Sequence, residues 1–220
     1  MNVLRYSIIL CMTIALSGCS AARPKPLAQP EEMPIQGTYT HSASGMTFPA
    51  KIGDFDRRAV LRKDTQRQDA SVRYDLISMA VSVAVTVDIY PAPKLDTVGL
   101  PAGMVAAARD NLSQQAFESH RREIMSSHPG TVLIQEGEVS LPQSNNPYGG
   151  RMAVIEYEDV FFRQRQLVRS QLYLFCFAGG KWVIKYQFIY PKNADVLQEI
   201  ENFLMKLSWT LKGPKPATSR

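Results

Sequence analysis

Apolar positions recur along residues 46–209 with two different periods. Val81, Val83, Val85, Val87 and Ile89 alternate with Ser82, Ala84, Thr86, Asp88 and Tyr90. A period of two predicts a half-buried strand, and Pro91 and Pro93 close it. Shorter strands are expected over Val60–Lys63 and Ala70–Leu76, separated by the charged loop Asp64–Asp69. Gly103–Met125 changes to three-and-four spacing, with Val105, Ala108, Leu112, Ala116 and Ile124 on a broken helical stripe that Pro129-Gly130 ends. Strands are expected again over Thr131–Leu141, Arg151–Phe162 and Gln166–Phe177. Gly179-Gly180 then predicts a two-residue hairpin into Lys181–Tyr190. Leu172, Leu174 and Cys176 make one face apolar while Tyr173, Phe175 and Phe177 do the same for the other, so this strand belongs in the middle of a sheet. Asn193 is placed to cap a last helix striped by Val196, Leu197, Ile200, Phe203, Leu204 and Leu207. The expected fold is α+β: an antiparallel sheet covered by helices on both faces, with an N-terminal β-hairpin.

The first forty-five residues follow neither period. Arg5 precedes an apolar run, Tyr6–Leu16, too short to span a bilayer, and Leu16-Ser17-Gly18-Cys19 matches a lipobox. Residues 1–18 are therefore read as a lipoprotein signal peptide, and Cys19 as the residue that carries diacylglycerol and palmitate-type acyl chains. Ser20, rather than Asp, follows the cysteine. Asp there is the usual inner-membrane retention signal, so the expected address is the outer membrane, with the domain facing the periplasm. Pro24, Pro26, Pro30 and Pro34 among polar residues make 19–45 an extended tether, able at about 3 Å per residue to hold the domain tens of ångströms from the bilayer. Residues 46–209 form the globular domain, and 210–220 a loose tail with Pro214 and Pro216.

Composition narrows the reading further. In 220 residues, 45% hydrophobic and 20% charged side chains suit a chain with a real core and exclude disorder throughout. A net charge of +5 is mild, and a domain facing the periplasm would not meet nucleic acid. Cys11 lies in the signal peptide and Cys19 carries lipid, which leaves Cys176 with no intramolecular partner for a disulfide.

The order of elements resembles the PsbP-like fold, shared by small bacterial lipoproteins including the DcrB-like ones. The similarity rests on Phe48-Pro49 with Ile52-Gly53-Asp54-Phe55, on Val85-Thr86-Val87-Asp88-Ile89-Tyr90-Pro91, on Tyr148-Gly149-Gly150-Arg151, on the Gly179-Gly180 hairpin and on the terminal amphipathic helix. The resemblance implies an accessory or adaptor role without a shared catalytic motif, and carries no functional residue across.

Candidate chemistry is sparse. His41, His120 and His128 do not have zinc-ligand spacing, and no Gly-x-Ser-x-Gly elbow is present. Cys176 lies in the most apolar strand, where desolvation raises a thiol's pKa and makes it a core residue before a nucleophile. Arg57, Arg58, Arg62 and Lys63, with Arg67 and Arg73, crowd the first hairpin, and Arg163, Arg165 and Arg169 a later one. Brought together they would make a cationic face for anionic lipid or an acidic partner; interleaved acids favour a solvated rim instead. The expected function is that of a lipid-anchored envelope protein without enzymatic activity or cofactor, an interaction or accessory domain with an envelope protein partner. A carrier of a small apolar or lipidic ligand is the alternative, and an envelope hydrolase comes last.

Overall fold

A computed structural model of the chain describes residues 25–79, 81–141 and 149–211. The expected signal peptide, with Leu16, Ser17, Gly18 and Cys19, lies outside the described residues, as do the Asn145–Tyr148 part of the turn and all but the first two residues of the tail.

Eleven strands and two helices are described: β1 (Pro26–Glu32), β2 (Tyr39–Thr40), β3 (Thr47–Phe48), β4 (Lys51–Ile52), β5 (Phe55–Asp64), β6 (Ala70–Ile77), β7 (Ser82–Pro91), α1 (Ala102–Ser127), β8 (Val132–Val139), β9 (Gly150–Phe161), β10 (Gln164–Ala178), β11 (Trp182–Pro191) and α2 (Leu197–Lys206). Nine strands form one antiparallel sheet in the order β1-β5-β6-β7-β11-β10-β9-β8, with β4 paired to β5, while β2 and β3 pair separately. The chain builds β5, β6 and β7 as a meander and crosses to the far edge through α1. It then returns as β8 to β11, so that β11 closes against β7.

The expectation of a sheet covered by helices on both faces is overturned. Strands hold 48% of the described residues and two helices only 20%, and the architecture is a large antiparallel sheet. The reason is geometric. Eight strands side by side span about 38 Å, whereas a helix with its side chains covers about 10–12 Å. Helix α1 packs on β9 and β10, burying Phe117 and Ile124. The opposite face is covered by α2 through Ile200, Phe203 and Leu204, and by non-helical chain carrying Met46, Phe48, Ile52, Trp209 and Leu211. Leu61, Ser71, Arg73 and Thr86 lie on the α1 side of β5–β7, away from the β9 and β10 strands on which α1 chiefly packs.

Most expected strands form within a few residues of their anticipated limits, and β10 is central, between β11 and β9. Three details differ. Phe177 has φ +58° at a bulge where the β10 register against β11 shifts, which turns its ring to the Cys176 side of the sheet. The hairpin at Gly179-Gly180 has a three-residue loop, Ala178 pairing with Trp182. Helix α2 is preceded by Val196, with no side-chain cap from Asn193.

The tether reading also changes where it meets described residues. Pro26–Glu32 pairs with β5, and His41 and Ser44 are fully buried. An edge strand needs partners on one side only and so tolerates Pro26 and Pro30. Thr65 N–H donates to the Lys25 carbonyl at 3.2 Å, which fixes where the chain enters. That entry end of the sheet also carries the β5–β6 and β10–β11 hairpins and the segment 92–101. The β6–β7 hairpin and the β9–β10 turn lie at the far end.

Candidate functional site

The far end is marked by its turn. Phe161 pairs with Gln164, leaving Phe162 and Arg163 as a two-residue loop with φ +44° and +69°. Two left-handed residues in succession are the backbone of a type I′ turn, which Asn-Gly adopts and bulky side chains resist. Each such residue costs on the order of 1–3 kcal/mol. Phe162 stacks edge-on against Phe161 at 4.5 Å yet stays 41% exposed. Around it the surface carries exposed apolar side chains among paired charges. Val160 is 63% exposed, Leu167 lies diagonally across on β10, and Val132 follows on β8, the sheet's last strand. The strand alternation puts Val132, Val160 and Leu167 on one face. Between them the charges are closed into pairs: Arg165 Nε to Glu158 at 2.7 Å, and Lys192 Nζ at 2.5 Å and Arg169 Nε at 3.5 Å to Glu156.

The cations singled out from the sequence do not share one face. Arg57 donates to the Phe48, Ile35 and Gly37 carbonyls and fastens the N-terminal segment. Arg58 pairs with Asp75, Arg62 with Glu31, and Lys63 with Asp88. Arg165 and Arg169 are closed on Glu158 and Glu156, and Arg163 stands in the strained turn. Four strand spacings separate β5 from β10, about 19 Å.

Two polar groupings were not legible from spacing. Asp88 is 3% exposed and accepts from Lys63 Nζ at 2.6 Å, Ser71 Oγ at 2.5 Å and Lys185 Nζ at 2.8 Å. Burial opposes its ionisation, but Lys185 and Lys63 outweigh it and hold the carboxyl at about 2. Neighbouring Asp69 moves the other way, to about 6, through burial and the negative charges of Asp88 and Asp64, which Lys63 only partly offsets. The second grouping joins α1 to the sheet. Tyr90 OH lies 2.7 Å from His120 Nε2, and His120 Nδ1 is 3.4 Å from Glu123. Burial, then Lys185, lowers the imidazole's pKa, and burial among negative groups raises the phenol's. Both shifts favour the uncharged forms, and the contact ties α1 to β7.

His41 faces Ser44 Oγ at 2.8 Å, with burial lowering its pKa to about 4, and His128 stacks on Tyr157 at 3.9 Å. Cys176 is buried beside Ser113, its thiol pushed up to about 11 by burial. Among the described residues no group of His, Cys, Asp and Glu is placed to hold a metal ion, and no helix is long and apolar enough to cross a membrane. A depression of about 260 Å³ is lined by Glu138, Val139, Ser140, Gly149, Gly150 and Arg151, and a shallower one of about 720 Å³ runs along Ser119–Ser126 of α1.

No protein-family model, curated protein or solved structure matches the chain.

Proposed function

We propose that the protein is a non-catalytic accessory domain of the bacterial envelope, anchored by lipid on Cys19 in the outer membrane, that docks on another envelope protein through the β9–β10 tip. One observation carries the docking surface: Phe162 keeps a strained backbone while its ring stays half in water. Phe177 has the same kind of backbone at the other end of β10, but it is 3% exposed, and burying a Phe side chain returns about 1.5–3 kcal/mol against the strain. Phe162 makes only part of that return, through its contact with Phe161, and a partner that covers it together with Val160 and Leu167 would supply the rest. Exposed aromatic anchors beside apolar neighbours are the residues that dominate protein interfaces.

The test replaces the turn and keeps the sheet. Phe162→Asn with Arg163→Gly installs the pair that a type I′ turn favours, and should raise stability by about 1–2 kcal/mol in urea unfolding. In cells, a photoreactive residue at Val160 of the full-length chain should give one discrete protein adduct, lost in the turn variant although that variant folds better. An adduct that survives the turn replacement, or none above the yield of the same probe at exposed Ser119 on α1, defeats the reading.

A further inference from the structure

Exposed cations gather at the entry end, whereas at the far end Arg163 stands alone in the turn and Arg58, Arg165 and Arg169 are closed on carboxylates. At the entry end Lys25, Arg67, Lys94 and Lys181 are all exposed, and none forms an ion pair with a described residue; Lys181 lies over the Trp182 ring at 5.8 Å. Asp96, an exposed acid near Lys94, accepts from Val98 N–H at 3.1 Å. From Lys94 into the first turn of α1 the chain exposes Val98 (89%), Leu100 and Met104. The backbone ties this segment to the same end, Ala92 N–H donating to the Lys181 carbonyl at 2.8 Å. Apolar side chains ringed by unpaired cations suit the headgroup region of an anionic bilayer, where the first enter and the second stay at the phosphates.

Chain length decides which end can reach such a surface. Lys25 is fixed against Thr65 at the entry end, and Cys19 is six residues earlier. Whatever conformation those six residues take, they span at most about 22 Å. The ten residues of β7 that separate the two ends extend about 34 Å, so Ile77, Met79 and Phe162 lie beyond the reach of an upright domain's anchor. The chain continues past Leu211, which abuts Gly179 at this same end, into residues 212–220, whose charged side chains are Lys212, Lys215 and Arg220.

We infer that the entry end rests on the anionic lipid surface that holds the anchor, with Val98, Leu100 and Met104 at the interface and Lys25, Arg67, Lys94 and Lys181 against phosphates. The β9–β10 tip then points away from the membrane. This rests on the lipid anchor at Cys19 and adds an orientation to it.

The experiment uses the lipidated mature chain in vesicles of phosphatidylglycerol and phosphatidylcholine that contain a headgroup nitroxide lipid. Cysteines at Val98 or at fully exposed Met79 carry a fluorescent label, Cys176 being too buried to compete. Quenching at Val98 several-fold above that at Met79, and reduced when Lys94→Glu and Lys181→Glu are combined, is the expected result. Equal quenching at both positions, or more at Met79, in protein that co-floats with the vesicles overturns the orientation alone. Protein that fails to co-float overturns the anchor and the orientation with it.

Discussion

Strand β10 ends in a left-handed phenylalanine at one side and begins beside another, and the two residues use the same backbone differently. Phe177, at the entry end, is folded into the bulge so that its ring joins Cys176, Leu174 and Val183 in the core, with the Arg109 guanidinium 5.3 Å from the ring centroid. Phe162, at the far end, is held out at the tip of a turn. Strain offset by burial is part of how a sheet closes; strain left exposed marks a place where the fold was not the sole constraint. On the proposed docking role, Phe177 belongs to a structural end of the molecule and Phe162 to the end offered to a partner.

Single truncations put that separation at its widest. Phe177→Ala should lower unfolding free energy by about 3–5 kcal/mol, the range for buried aromatic truncation, whereas Phe162→Ala should stay within about 0.5 kcal/mol. Denaturant midpoints at constant slope read both. Similar losses at the two positions would mean that Phe162 is a core residue and that its exposure presents nothing.

Acidity gives the next largest contrast, and it concerns the entry end alone. Asp88 has a folded pKa of about 2, below its unfolded value, so its contribution is complete above about pH 4 and is lost as pH falls through 2; two units amount to roughly 2–3 kcal/mol. Asp69 has the opposite sign. Its folded pKa of about 6 lies above the unfolded one, so its contribution is complete below about pH 4 and is lost as pH rises through 6. Asp69 is only partly buried, and solvent screening reduces that part to about 1 kcal/mol. Urea unfolding from pH 2 to 8 should therefore show a loss below pH 4 that Asp88→Asn removes, and a shallower decline between 4 and 6 that Asp69→Asn removes. A turn variant at Phe162 and Arg163 should shift the whole curve without changing its shape.

Much of the sheet is written in the local pattern. The alternation from Val81 to Ile89 and the doubly apolar run from Leu172 to Phe177 need no distant information, because a strand's two faces are adjacent in sequence. What escaped reading depends on partners far along the chain. Pro26–Glu32 has almost no buried side chain and no apolar period, and only its pairing with β5 makes it a strand. Asp88 reads as a polar outward position of an alternating strand. It is buried because Lys63 and Lys185, on two other strands, close over it. The helix expectation failed for a different reason. The stripes of α1 and α2 show that each helix has a buried side, but not how wide a sheet they face. The Phe162-Arg163 turn was hidden because its residues are the ones a turn of that kind disfavours.

The smallest effect tests the entry end at its outer edge. Arg62 reaches from β5 to Glu31 of β1, and Met33 N–H donates to the Val60 carbonyl at 2.8 Å just beyond. An exposed ion pair of this kind contributes about 0–1 kcal/mol and weakens with salt. Arg62→Ala should therefore lower global stability by less than about 1 kcal/mol, a difference that vanishes in 1 M salt. Amide exchange of Glu31, Glu32 and Met33 should nevertheless quicken several-fold, because β1 has only one neighbour to hold it. Were β1 to peel away up to Met33, the proposed anchor at Cys19 would gain eight residues and its span would grow from about 22 to about 50 Å, enough for the far end to reach a bilayer. The variant should thus narrow the difference between labels at Val98 and Met79 while leaving the stability of the rest of the sheet almost untouched. An unchanged label difference alongside faster exchange would mean that the entry end is held down by its own side chains, and not by the shortness of its anchor.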